Sequence, residues 1–179
     1  MNKEQPGMEI QNNGNNEVEG VGVGLSEDVE CIEPRLQRRG FQLVQVYPVK
    51  FLCGEQTKKE GPVKPANYAT AINIINIFDL NVTFTKKAVL ARSQREEPGP
   101  ISKKVKETLR PNQALEIDCM DIRNLLDIPT GFIKGFVVIE VPITPGILPI
   151  TPGITPGFAD RVLEVVAVYT ALHKQFAFE

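Results

Sequence analysis

Tryptophan is absent from this 179-residue chain, histidine occurs once and cysteine three times. A single His excludes the two-His metal motifs. It also leaves any Ser-His-Asp triad dependent on His173, which none of Ser26, Ser93 or Ser102 neighbours and none frames as G-x-S-x-G. Cys31, Cys53 and Cys119 form no C-x-x-C pair, so a zinc site lacks support from spacing. No apolar run reaches the 18 or so residues of a membrane-spanning helix. Met1 to Glu19 is polar and lacks the apolar core of a secretory signal. Gly20, Gly22 and Gly24 do not sit between a strand and a helix, and no Lys-Ser/Thr follows them, so they are no phosphate loop. With 20 basic and 22 acidic side chains the net charge is −2, which argues against a nucleic-acid-coating protein. These absences point away from an enzyme and from a bound cofactor or metal.

Residues 1–40 differ from the rest and read as a flexible acidic N-terminal arm. Residues 1–16 hold five Asn, two Gln, two Gly and one Pro, too little apolar surface to offset the entropy of ordering. Then Val21, Val23 and Leu25 alternate with glycine at a period of two. Residues 1–34 carry eight acids and one base, a net of −7, before Arg35, Arg38 and Arg39 reverse the sign. Two readings stand: a disordered leader, or an arm whose Val21, Val23 and Leu25 add to an exposed sheet edge of a neighbour.

From residue 41 to 179 the pattern is that of an all-β domain. Phe41–Tyr47 is rich in β-formers. Pro48 interrupts it, favouring an edge strand or a bulge, and Val49–Cys53 resumes. Tyr68–Phe78 alternates, with Thr70, Ile72 and Ile74 on one side. Val82, Phe84 and Ala88–Leu90 form the next strand. Ile101–Arg110 and Ala114–Cys119 are expected to pair as a hairpin across the Arg110-Pro111-Asn112-Gln113 turn. Asp121–Asp127 is expected to make one or two turns of helix, capped by Asp118 or Asp121. Phe132–Val141 and Val162–Leu172 are the strongest strands and should be central. About seven strands with one short helix predict an antiparallel β-sandwich, immunoglobulin-like or jelly-roll-like. A body of that size needs neither disulfide nor metal to fold.

Between the last two strands, residues 142–158 repeat Ile-Thr-Pro-Gly three times, at 143–146, 150–153 and 154–157. Each Pro-Gly favours a type II turn, so a stiff protruding loop carrying Ile147, Leu148 and Ile150 is expected. It is either a tolerated insertion or a contact surface that loses little entropy on docking. Cys53 and Cys119 read as buried free thiols or as a disulfide. Cys31 in the arm reads as a free thiol, or as a cross-link between neighbours in an oxidised assembly. Residues 81–112 hold eight bases and three acids, a net of +5, among them Lys86, Lys87, Lys103, Lys104 and Lys106. Aromatic residues interleaved with the bases would mark a nucleic-acid site, and only Phe84 is near. The basic face is either a solvated hairpin guarded by lysines or the receiver of an acidic arm from another copy.

Tyr47-Pro48-Val49-Lys50-Phe51-Leu52-Cys53-Gly54 and Tyr68-Ala69-Thr70-Ala71-Ile72-Asn73-Ile74 resemble a group of small bacterial single-domain β-sandwich proteins. So do Leu115-Glu116-Ile117-Asp118-Cys119 and Gly135–Glu140. The likeness spans about residues 44–172. In strand order it is also similar to immunoglobulin-like modules and, more faintly, to sensory rhodopsin transducer sandwiches. These motifs are core strands, so the resemblance implies a fold and transfers no functional residue.

The expectation is a non-enzymatic structural subunit that meets copies of itself, or other surface or assembly proteins, through Val21, Val23, Leu25, Cys31, the five lysines and Ile147, Leu148 and Ile150. A fibre, appendage or surface layer fits, assembled in the cytoplasm or on a spore or cell surface. The alternative is a soluble binding module for a small ligand, sugar or peptide.

Overall fold

The computed structural model describes residues 24–39, 42–58, 63–143 and 161–173. Nine strands and one helix follow in chain order: β1 (Gly24–Ile32), β2 (Arg35–Arg39), β3 (Gln42–Gln56), β4 (Ala66–Asn76), β5 (Val82–Leu90), β6 (Val105–Leu109), β7 (Ala114–Ile117), α1 (Cys119–Leu126), β8 (Ile133–Ile143) and β9 (Leu163–His173). All pairings between them are antiparallel. One layer runs β1-β9-β4-β7, the other β2-β3-β8-β5-β6. The all-β sandwich is as expected, with nine strands rather than seven. The two extra strands, β1 and β2, come from the acidic stretch and the arginine-rich residues that follow it, both within the stretch read as the N-terminal arm. As expected, β8 and β9 are central: β8 lies between β3 and β5, β9 between β1 and β4.

The sandwich closes on one apolar core. Tyr47, Val49 and Phe51 of β3, Val137 and Ile139 of β8 and Phe84 of β5 meet Ile72 and Ile74 of β4 and Leu163 and Val165 of β9. Alternation along each strand puts these residues on the inner face. One polar tie crosses the core. The Tyr47 hydroxyl donates to the Leu163 carbonyl at 2.9 Å, and Gln45 Oε1 lies 3.2 Å from that hydroxyl and 3.3 Å from the Val162 amide.

A single strand joins the layers. β3 pairs with β8 from Leu43 to Cys53, and its last three residues, from Gly54, pair with β4. Gly54 stands at the transfer with φ of +97°, and a Cβ there would sit 2.5 Å from the Gly131 carbonyl oxygen. No other residue type suits that position. Pro48 does not break β3, and it sits where that strand is locally an edge. β2 ends its pairing at Val46, so Pro48 has a ladder partner only in β8, opposite Val138. A residue with one strand neighbour can lack its N–H without leaving an acceptor unpaired.

The expected hairpin of β6 with β7 does not form. The turn at 110–113 closes, with Gln113 N–H bonded to the Arg110 carbonyl, but its exits diverge. β6 pairs with β5 in one layer and β7 with β4 in the other. Asn76 holds this corner. Its side-chain NH2 donates to the Leu80 and Leu109 carbonyls, its Oδ1 accepts from Phe78 N–H, and its backbone bonds Asn112 and Gln113.

α1 sits across the far end. Asp118 is its N-cap, accepting from the Met120 and Asp121 amides while Asp121 reaches back to the Asp118 amide, a capping box. Cys53 and Cys119 form a disulfide that fastens the helix to β3. Of the two readings left open, the thiols are therefore bonded. β3 and the start of α1 bring the two Cα atoms to 5.6 Å, within disulfide range.

Candidate assembly edges and the Glu140 cluster

Among the described residues, four strands have a partner on one side only: β1 and β7 in one layer, β2 and β6 in the other. The continuous strand path begins at β1 and ends at β6. Each such edge leaves a row of backbone donors and acceptors open.

β1 is the acidic edge. Ser26, Asp28 and Glu30 lie opposite Ala171, Tyr169 and Ala167 on the face turned toward the other layer, in line with the buried Ile32. Leu25, Glu27, Val29 and Cys31 alternate onto the outer face, where Leu25 is 66% and Val29 64% exposed. Leu25 lies opposite Leu172 of the chain's own β9, and Cys31 is an exposed free thiol opposite Val166. Tyr169 donates to Glu30 at 3.3 Å. Burial first, and then the Glu30 charge and hydrogen bond, push the phenol up to about 12, so it stays a donor.

β6 is the basic edge. Lys103 and Lys104 precede it, Lys106 lies within it and Arg110 follows it, all exposed. The five lysines singled out from the sequence do not share one face. Lys86 lies opposite Ile139 on the inner side and pairs with Glu107 at 3.0 Å, while Lys87 lies opposite Val138 on the outer side. Lys87 and Lys104 both turn to Glu140, which leaves Lys103 and Lys106 as the lysines of this edge with no ion-pair partner among the described residues. Val21, Val23, Ile147, Leu148 and Ile150 lie outside the described residues.

Glu140 was not singled out from the sequence. It lies on the outer face of β8 between Val46 and Thr85, yet only 5% of it is exposed. Three cations from three segments cover it. Arg39 meets it end-on, with Nη1 3.0 Å from Oε2 and Nη2 2.8 Å from Oε1. Lys104 Nζ is 2.6 Å from Oε2, and Lys87 Nζ is 3.4 Å from Oε1. Burial acts to raise its pKa, but the Lys104 hydrogen bond and the charges of Lys87, Arg39 and Lys104 outweigh it, so the carboxyl titrates below its ordinary range. The cluster staples β2, β8, β5 and the entry to β6 across one sheet. A signal for it was present: a lone acid within Phe136–Val141, an otherwise apolar central strand, demands a cation.

Among the described residues, no group of three or more His, Cys, Asp or Glu is placed to hold a metal ion, and no helix is long and apolar enough to cross a membrane. No family model, curated protein or solved structure matches the chain.

Proposed function

We propose that this protein is a non-enzymatic structural subunit that joins copies of itself head to tail, the acidic edge β1 of one copy adding to the basic edge β6 of the next. The supporting observation is that, among the described residues, both ends of the strand path are open edges and carry opposite charge. Open ladders supply the hydrogen bonds for strand addition. Charge supplies the selection. An antiparallel β1–β1 contact gathers Glu27, Asp28 and Glu30 with their own copies, and a β6–β6 contact gathers Lys103 and Lys106, both unfavourable. The β1–β6 contact is heterologous, so it propagates into a ring or an open filament, such as a fibre, an appendage or a surface layer.

Charge swapping tests this by sedimentation and negative-stain imaging. One variant carries Glu27→Lys and Asp28→Lys, the other Lys103→Glu and Lys106→Glu. Each alone has two like-charged edges and is expected to stay monomeric, and an equimolar mixture is expected to assemble in alternation. A wild-type protein that remains monomeric at tens of micromolar sinks the proposal. So do charge-swapped variants that assemble alone as well as wild type.

A further inference from the structure

A cleft of about 440 Å³ lies where β3 leaves one layer for the other, away from the open ladder of β6. It exists because β2 stops at Arg35, opposite Val46, which leaves β3 uncovered from there to Gly54. One wall is the inner face of β1 and β9, bearing Asp28, Glu30 and Tyr169. Tyr68 of β4, opposite Ala171, continues that same face, Lys64 stands just before β4, and Lys50 comes from β3. Thr70 Oγ1 fixes the rim by bonding both the amide and the carbonyl of Leu52.

The charges in this cleft are unspent. No ion pair within the described residues involves Asp28, Glu30, Lys50 or Lys64, although four charges of both signs line one cavity. Among the described residues Glu30 accepts only the Tyr169 hydroxyl, and the Tyr68 hydroxyl goes to the Lys64 carbonyl, not to a charged group. Asp28 and Glu30 are neighbours on one face of β1 and repel, and a ligand with one ammonium and one carboxylate answers both the acidic and the basic residues of the cleft. The volume falls within the range of small-molecule sites. An extended tripeptide, roughly 10 Å long, carries its two charges at its ends and its amides between them.

We propose that this cleft binds a short zwitterionic peptide, its ammonium toward Asp28 and Glu30 and its carboxylate toward Lys50 and Lys64. The site shares Asp28 and Glu30 with the β1 edge but needs no second copy, so it survives if the assembly reading fails.

The test is calorimetric titration of the full chain with trialanine, with trialanine acetylated at its amine, with trialanine amidated at its carboxylate, and with free alanine. Saturable 1:1 binding of trialanine is expected, weakened about tenfold or more by either cap. Two double variants, Asp28→Asn with Glu30→Gln and Lys50→Met with Lys64→Met, are expected to lose it to the same degree while melting as wild type does. The proposal is overturned if trialanine shows no saturable binding up to about 10 mM. It is equally overturned if capped peptides bind as well, if alanine binds as tightly, or if well-folded double variants keep the affinity. Should a variant fail to fold, the capped peptides on wild type still decide the matter.

Discussion

The residue with the most to lose is Glu140, because three cations were positioned around one carboxylate. Glu140→Gln leaves Arg39, Lys87 and Lys104 mutually repelling, and is expected to cost about 1–3 kcal/mol of stability, read as a lowered urea midpoint. The pH dependence has a definite sign. The folded carboxyl titrates below its unfolded value of about 4.3, so the stability it confers is complete above that value. It is lost as pH falls through the lower folded value. Below about pH 4 wild type should therefore lose stability more steeply than Glu140→Gln. The buried phenols act at the other extreme. Tyr47, held up to about 12 by burial against the Leu163 hydrogen bond and the Arg161 charge, favours the folded state below pH 10. That contribution drains away between pH 10 and about 12, and Tyr47→Phe should flatten this alkaline loss while costing about 1–2 kcal/mol at neutral pH, since the Leu163 carbonyl is left without its donor.

Among the elements, the disulfide connecting α1 to β3 closes a span of 66 residues. Replacing both cysteines with alanine should lower stability by about 2–4 kcal/mol, and Asp118→Ala, which removes the cap, by about 1 kcal/mol, both measured by denaturant unfolding. The strands were readable because inner positions alternate cleanly, as Thr70, Ile72 and Ile74 do in β4. The helix was readable from Asp118 and Asp121, whose spacing is that of a capping box. Strand partners were not. The Arg110–Gln113 turn dictates a reversal over four residues, but Asn76, 34 positions before Arg110, decides that the reversal also changes layer. A side chain that far away in sequence leaves no local trace. The disulfide stayed one of two readings for the same reason, since spacing alone does not place β3 and the start of α1 5.6 Å apart.

For the whole molecule, the division of charge was legible and its location was not. Adding residues 1–34 and 81–112 separately showed opposite signs, but only the strand order puts those signs on the two ends of one path. The same count overstated the basic edge, because Lys86, Lys87 and Lys104 are engaged in ion pairs that depend on Glu107 and Glu140. If charge steers the meeting of edges and the ladder then holds them, salt should act mainly on encounter. Raising ionic strength from about 0.05 to 0.5 M is expected to slow the growth of light scattering severalfold, with a smaller effect on the loss of preformed assemblies on dilution.

The pairing of Gly24 with His173 has a mechanical consequence. β1 and β9 are neighbours running in opposite directions, and these two residues meet at the same end of their ladder. A pull applied at that pair loads the ladder's hydrogen bonds one after another, like a zipper, instead of in parallel. A stretch directed across the strands through β1 and β6 instead runs through the inter-strand ladders, with β3 carrying the load from one layer to the other. The molecule is thus soft when tugged by its β1 and β9 ends, yielding first at Gly24 and His173 and only later at Ile32 and Val165.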